Sequence, residues 1–256
     1  MMKIKLMTFN LRIANAADGI NSFDNRKERI KETVMYERPD IIGFQEASDS
    51  MTDWLKVAIR SKYTVVGTGR NADRTGEGTR IAFKKKKYDL VSLETLWLSE
   101  APNIPGSCYC ADQSSCPRIF TAAEFMDKKT KKVFRVINTH LDHRGELARV
   151  CGATQIVQYI SMRNKLFSCP NVVMGDLNAR RDSDAVNIFK AHVPDITEEV
   201  GQTFHGFGKI GNDPDIHIDY IFSDAKKAAS SYAVPDESVG GVYISDHYPV
   251  CAFIEF

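Results

Sequence analysis

No stretch of the chain approaches the roughly 20 consecutive apolar residues that a helix needs to cross a bilayer, so no transmembrane segment is expected. The opening Met1-Met2-Lys3-Ile4-Lys5-Leu6 lacks an apolar h-region and a small-residue cleavage site. The expected compartment is the cytoplasm, with a leader removed beforehand as the alternative. Charge of one sign is also scarce: 34 Lys and Arg stand against 33 Asp and Glu, a formal net charge of +1. Such a chain does not advertise wholesale electrostatic capture of nucleic acid. No internal repeat, low-complexity tract or linker occurs. The six cysteines show no CxxC pair. Cys108, Cys110 and Cys116 share one stretch, where a zinc site would lack a fourth ligand in sequence and a local disulfide is a further option. Cys151, Cys169 and Cys251 border apolar segments and read as buried thiols, and reduced cysteines are the default.

What is present is an ordinary globular composition, 256 residues with 43% hydrophobic and 26% charged, enough for one large domain over residues 1–256. Apolar runs predict strands at 3–10, 41–44, 63–66, 79–83, 88–98, 118–126, 133–138, 171–175, 216–223 and 249–256. Helical spacing predicts helices over 24–36, 51–61, 147–164 and 182–191. Pro39 ends the first helix, and the Pro- and Cys-containing stretch 99–117 is a long loop of the kind that often carries function. Strands outnumber helices, which predicts two mixed sheets packed face to face with helices outside. The lysine runs 84–87 and 128–132 flank strands. They read as solvated hairpin turns, with a phosphate-backbone patch as the alternative.

Six polar motifs sit at the ends of these apolar runs: Thr8-Phe9-Asn10, Phe44-Gln45-Glu46, Asn138-Thr139-His140, Gly175-Asp176-Leu177-Asn178, Ile218-Asp219-Tyr220 and Ser245-Asp246-His247. They span the chain from one end to the other, which implies that distant segments converge on one polar site. Carboxylates, carboxamides and imidazoles without clustered cysteine suit a hard cation with oxygen ligands. Asn10 can offer an amide oxygen to a cation or form a turn. Glu46 at a buried strand end must be solvated, paired or metal-bound. Two histidines and an acid within four residues, His140, Asp142 and His143, add polar chemistry. Gly175 is expected to let the backbone turn sharply out of the sheet. Asp176 and Asn178, two apart, face one side of an extended stretch, with an Asx-turn as the structural reading. Adjacent Asp246 and His247 point apart in a strand, so Asp219 is the natural partner to orient His247 and leaves Asp246 free to approach a cation.

The ordered set resembles the endonuclease/exonuclease/phosphatase superfamily, which includes deoxyribonuclease I, abasic-site endonucleases, sphingomyelinases, inositol polyphosphate phosphatases and deadenylases. The resemblance covers essentially the whole chain. It implies an α/β, four-layer α-β-β-α sandwich and hydrolysis of phosphoesters dependent on Mg²⁺, with Mn²⁺ as a substitute. It implies metal ligation by Asn10 and Glu46 with Asp246 nearby, and a catalytic set of His140, Asp176, Asn178, Asp219 and His247. Within it, Asp176 handles the attacking water and Asn178 contacts the scissile phosphate. A closer likeness is to a bacterial and fungal branch carrying Leu96-Trp97-Leu98-Ser99-Glu100-Ala101-Pro102, Thr139-His140-Leu141-Asp142-His143 and Thr203-Phe204-His205-Gly206-Phe207. By that likeness Glu77, of Gly76-Glu77, orients His140. Arg118, Arg12, Asp142 and His143 are the implied substrate contacts. Cys110 and Ala122 stand where the branch pattern has tryptophan, a departure that bears on the shape of the substrate pocket. The expected reaction is in-line attack of water on a small phosphorylated metabolite, sugar or lipid headgroup. Nuclease action on DNA or RNA is the alternative, and a non-catalytic binding module that keeps the fold is the other. No oligomeric state is implied.

Overall fold

The apolar runs become the strands and helices of a computed structural model that describes residues 2–14, 16–109, 112–225 and 227–256. Strand β1 (Lys3–Asn10) leads through a 3-10 turn (Ala16–Asn21) and helix α1 (Phe23–Glu37) to β2 (Ile41–Ala47), parallel to β1. Helix α2 (Asp49–Ala58) precedes β3 (Tyr63–Val66), β4 (Gly78–Lys84), β5 (Tyr88–Trp97), β6 (Ile119–Asp127) and β7 (Val133–His140). Helix α3 (Glu146–Leu166) then carries the chain to β8 (Asn171–Asp176), parallel to β7. Helix α4 (Asp184–Lys190), β9 (Asp219–Ser223), β10 (Lys227–Ala233) and β11 (Val250–Glu255) complete the order. The strands form a six-stranded sheet, β10-β11-β1-β2-β4-β3, and a five-stranded sheet, β5-β6-β7-β8-β9.

The two sheets lie face to face, β1 over β8, β2 over β7 and β4 over β6. Side-chain alternation sorts the apolar residues into three layers. Ile4, Leu6 and Ile41 point between the sheets and meet Phe125, Phe134, Val136 and Met174. Met7, Phe9, Ile42 and Phe44 point outward against Ile30 and Val34 of α1 and Met51 and Leu55 of α2. Ile137, Val173 and Phe222 pack outward on Ile156 and Ile160 of α3 and Phe189 of α4. Central strands buried on both faces read as continuous apolar runs for this reason. Four layers result, α-β-β-α. Ser48 and Ser183 cap α2 and α4 by accepting from Met51 N and Val186 N, and α1 stops at a left-handed Arg38 (φ 50°) just before Pro39.

A polar tie crosses the apolar middle layer. Gln45 Nε2 donates to Thr8 Oγ1 at 3.0 Å and to Asn138 Oδ1 of the opposite sheet at 2.7 Å. Asn138 Nδ2 donates to the carbonyls of Phe44 and Arg80, each at 2.9 Å. A Cβ at Gly43 would stand 2.7 Å from Asn138 Oδ1, so glycine there is what lets the amide reach across.

Several expectations are revised. β10 was not anticipated: Lys227-Ala228-Ala229-Ser230-Ser231-Tyr232-Ala233 carries few β-branched or large apolar residues and pairs as an edge strand on β11. The strand expected from 216 begins at Asp219. Gly175 does not turn the chain out of the sheet; it lies within β8 (φ 151°), and its need is space, since a Cβ would meet Thr139 O at 2.0 Å. Ala122 packs in the layer beneath α3, and Cys110 lies outside the described residues. Among the described cysteines all five are free, and Cys151 is only half-buried. The two lysine runs form adjoining turns, with Lys128 N donating to Lys87 O at 2.9 Å, and Asp40 pairs with Lys84 and Lys87. Among the described residues no helix is long and apolar enough to cross a membrane.

Gly43→Ala is expected to lower stability by about 1–3 kcal/mol through overpacking. Asn138→Ala should lower it by about 1–3 kcal/mol for each buried carbonyl left without a donor. Thermal unfolding of both variants checks this; melting temperatures equal to wild type would remove the inter-sheet amide from the account.

Candidate active site

Topology collects the six motifs at one end of the sandwich. The parallel pairs β1–β2 and β7–β8 point their carboxyl ends the same way, where ligands of open α/β sheets bind. Asn10, Glu46, His140 and Asp176 stand on those ends. The antiparallel neighbours β4, β6, β9 and β11 begin there, which delivers Glu77, Arg118, Asp219, Asp246 and His247 to the same rim. Ser245 Oγ donates to Asn10 O at 2.7 Å and fastens the segment before β11 to the end of β1.

Asp176 is the hub. Its Oδ1 accepts from Asn178 N at 2.8 Å, the Asx-turn anticipated as the structural reading. Its Oδ2 faces the site, 2.9 Å from Asn10 Nδ2, 3.5 Å from His140 Nε2 and 3.8 Å from His247 Nε2. Asp219, in register with Asp176 across β8 and β9, accepts from His247 Nδ1 at 2.9 Å. Its other oxygen is buried with no partner among the described residues. Glu46 (φ 57°) sits where the β2–β4 register breaks, with Oε1 3.2 Å from Asn10 Nδ2 and Oε2 accepting from Ile13 N at 2.7 Å. Arg12 (φ 54°) and Asn178 (φ 48°) share the left-handed backbone. Three such non-glycine residues at one rim mark a locally strained site.

Burial sets the protonation pattern. Burial alone would lower the proton affinity of His247, but Asp219 and then Asp176 and Asp246 outweigh it and push its pKa up to about 10. Burial, reinforced by Asp219, raises the Asp176 carboxyl. Burial likewise raises Asp246 and Glu77. His140 moves well down, through burial and then the positive charges of Arg118 and Arg70, so it stays neutral.

Several side chains are placed otherwise than expected. Asn10 Oδ1 accepts from Arg12 N at 2.9 Å while Nδ2 reaches both Glu46 and Asp176, so this amide also ties the two acids together. Glu77 does not bond to His140; it pairs with Arg70 at 2.5 Å. Both amide hydrogens of Asn178 are engaged, by His140 Nε2 at 3.0 Å and Leu141 O at 3.1 Å. Asp142 is an organiser: it accepts from the N–H groups of Ser114, Arg144 and Gly145 and from the Ser114 hydroxyl, and it lies 3.4 Å from Arg118 Nε. Arg118 Nη2 also meets His143 Nδ1 at 2.8 Å, while His143 is exposed. Arg12 grips Asp18 at 3.0 and 3.1 Å and lies 3.9 Å from Asp246.

Three contributors escaped sequence reasoning. Arg70 lines one small cleft with Glu46, Glu77, Arg118 and His140. Thr203 Oγ1 accepts from Ile218 N and Asp219 N. The Phe204 ring lies 4.8 Å from the His247 imidazole. Thr203-Phe204 belongs to a motif already singled out, whereas Arg70 lies in a loop with no local signal.

Residues 7–247 match the family model for the endonuclease/exonuclease/phosphatase family. The chain belongs to this family. Its members hydrolyse phosphoester bonds with the help of a metal, and the chain is accordingly a metal-dependent hydrolase of ester bonds. Among solved structures, an endonuclease/exonuclease/phosphatase from Bacteroides vulgatus is 31% identical and superposes with a TM-score of 0.91 over 100% of both chains. A mannosyl-6-phosphatase from Bacteroides thetaiotaomicron is 27% identical, with a TM-score of 0.90 over 99% of this chain and 100% of that one. D. rerio TDP2 in complex with a single-stranded DNA product shares the fold at 17% identity, with a TM-score of 0.74 over 99% of each chain.

The donor set fits the metal this family uses. The rim gathers the carboxylates Glu46, Asp176, Asp219 and Asp246, and donor atoms of Asp176, Asp219 and His247 lie within 4.8 Å of one another. His247 is the weakest member of that trio, because its Nδ1 is committed to Asp219 and its ring holds a proton over the neutral range. Carboxylate oxygens are the donors left.

In Asp219→Asn the charge that sustains the His247 imidazolium disappears while burial remains. Its pKa is expected to fall from about 10 by several units, read by NMR titration of the ring. Because the folded-state pKa lies above the ordinary value, the wild-type pair stabilises fully below about pH 6.5 and loses that contribution as pH rises through about 10. The variant should show no such loss, and an unchanged His247 titration would contradict the assignment.

Proposed function

We propose that the protein hydrolyses the phosphoester of a small phosphorylated metabolite, a sugar phosphate first among them, by in-line attack of water with Mg²⁺ as the cation and Mn²⁺ as its substitute. The observation that carries this reading is one rim that sets acids beside guanidinium groups. Glu46 lines a cleft with Arg70, Arg118 and neutral His140, and His140 Nε2 lies 3.5 Å from Asp176 Oδ2. A phosphoryl group there would meet guanidinium donors beside carboxylates able to hold a cation. The similarity to a mannosyl-6-phosphatase along the whole chain supports a sugar phosphate, as does the near-zero net charge.

Glu46 and Asp246 are the residues we assign to the cation, which would neutralise a non-bridging oxygen and the developing charge on the leaving oxygen. Asp176 Oδ2 takes the proton of the attacking water, and burial raises its proton affinity toward that task. Asn10 Nδ2 holds that oxygen in place. His247, protonated and fixed through Nδ1 by Asp219, presents Nε2 to a phosphoryl oxygen. Asn178 fixes the His140 ring, and Asp142 holds Arg118 in the site.

Asp176→Asn is expected to lower kcat by about 10²–10⁴. The folded Asp176 carboxyl has a raised pKa, so its ionised form opposes folding above that pKa. The variant should therefore melt no lower than wild type at pH 8. Wild-type turnover by the variant would sink the base assignment. Chelation with EDTA should abolish hydrolysis, and added Mg²⁺ should restore it. Mannose 6-phosphate, glucose 6-phosphate, glycerophosphocholine, p-nitrophenyl phosphate and plasmid DNA, each with and without Mg²⁺, test the substrate class. A kcat/KM for DNA above that for every small phosphoester would overturn the sugar-phosphate reading in favour of a nuclease.

A further inference from the structure

Thr203 and Phe204 serve the hydrolytic centre, but the rest of Thr203-Phe204-His205-Gly206-Phe207 faces elsewhere. A cleft of about 600 Å³ opens between residues 202–212 and 233–248, within the roughly 300–1,000 Å³ usual for small-ligand sites. His205, only 2% exposed, forms part of its wall. Its ring stacks on Tyr248 at 4.3 Å and 28° and leans on Tyr243 at 5.0 Å and 50°. His205 Nδ1 accepts from Gly208 N at 3.0 Å, which leaves the ring proton on Nε2. That Nε2 is buried with no partner among the described residues. Both tyrosine rings are half-exposed. Their hydroxyls and the Asn212 amide also have no hydrogen-bond partner among the described residues. Gly206, Phe207 and Gly208 run consecutively left-handed (φ 58°, 58° and 73°), and a Cβ at Gly208 would meet the Tyr243 hydroxyl at 2.1 Å. The loop is thus shaped around that ring, at a cost in backbone strain.

The lining defines the ligand class. No lysine or arginine lines it, while Asp236, paired with Arg29 at 2.9 Å, and Glu237 do. A polyanion would find no cationic side chain on its walls. Half-exposed aromatic faces with unpartnered hydroxyls and an amide at their edges suit a ring with apolar C–H faces and equatorial hydroxyls. Backbone links the wall of the cleft to the centre: Tyr248 follows His247, and Asp246 O accepts from His205 N and Gly206 N at 2.9 and 3.1 Å.

We propose that this cleft binds a neutral saccharide, the sugar portion beyond the phosphorylated unit of the substrate, stacked against Tyr243 and Tyr248. The assignment rests on the sugar-phosphate reading. Titration calorimetry of the full chain with Mg²⁺ present, using methyl α-mannoside, mannobiose, maltose and a short oligothymidylate, tests it. Saturable binding of a disaccharide is expected, weakened at least tenfold by Tyr243→Ala and by Tyr248→Ala. Asn212→Ala, at an exposed side chain, should weaken it severalfold. No saccharide binding by wild type, affinities unchanged in all three variants, or oligothymidylate binding abolished by the same substitutions would each overturn the assignment. Hydrolysis of p-nitrophenyl phosphate, followed in parallel, separates the two readings. Turnover without saccharide binding removes the cleft assignment alone. Saccharide binding without turnover of any phosphoester removes the hydrolytic reading and keeps the cleft as a saccharide site.

Discussion

Asp176 and Asp219 stand opposite each other across β8 and β9, both buried, with one imidazole against them. Two carboxylates that close in low dielectric repel strongly unless a positive charge intervenes. His247 supplies it, hydrogen-bonded to one and facing the other. Much of the rim is arranged around this pair. Thr203 fixes the backbone of Asp219, Phe204 backs the imidazole, and Ser245 anchors its segment to β1. Asn10 relays the arrangement to Glu46. A buried group of this kind is costly to assemble and is retained at sites where the imbalance is used.

The scaffold allows that cost because the two sheets are held in register beside the rim. Leu, Ile, Phe and Val fill the space between them, while Gln45 and Asn138 bridge the gap with satisfied amide donors. Polar ties of this sort add little net stability but penalise sliding, since any slip leaves buried carbonyls without donors. The hydrolytic end therefore gains fixed distances from a feature that is not itself chemical.

Much of the site was legible in the residues. A strand whose last residue is Asn, Glu, His or Asp announces a polar tip, and parallel strands must present such tips at one end. Asp219 as the partner of His247 also followed locally, because adjacent Asp246 points the other way. The amide directions were not legible. Whether Asn10 offers oxygen or nitrogen, and whether Asn178 is free or holds His140, depends on neighbours far apart in the chain. Glu77 illustrates the same limit: Arg70, in the loop between β3 and β4, takes the carboxylate that His140 was expected to hold. Edge strand β10 escaped because small polar residues carry little strand signal, and its pairing with β11 supplies what propensity lacks.

The sequence by itself determined the strands, the helices, the identity of the acids and imidazoles, and the chemistry they are suited to. Those properties are local, written in apolar periodicity and residue type. Only the tertiary structure decided which oxygen faces which nitrogen, where Arg70 enters, and that a tyrosine-lined cleft adjoins the hydrolytic end. Such matters depend on burial and on contacts between segments that the chain separates by as many as 235 residues, and no local pattern encodes them.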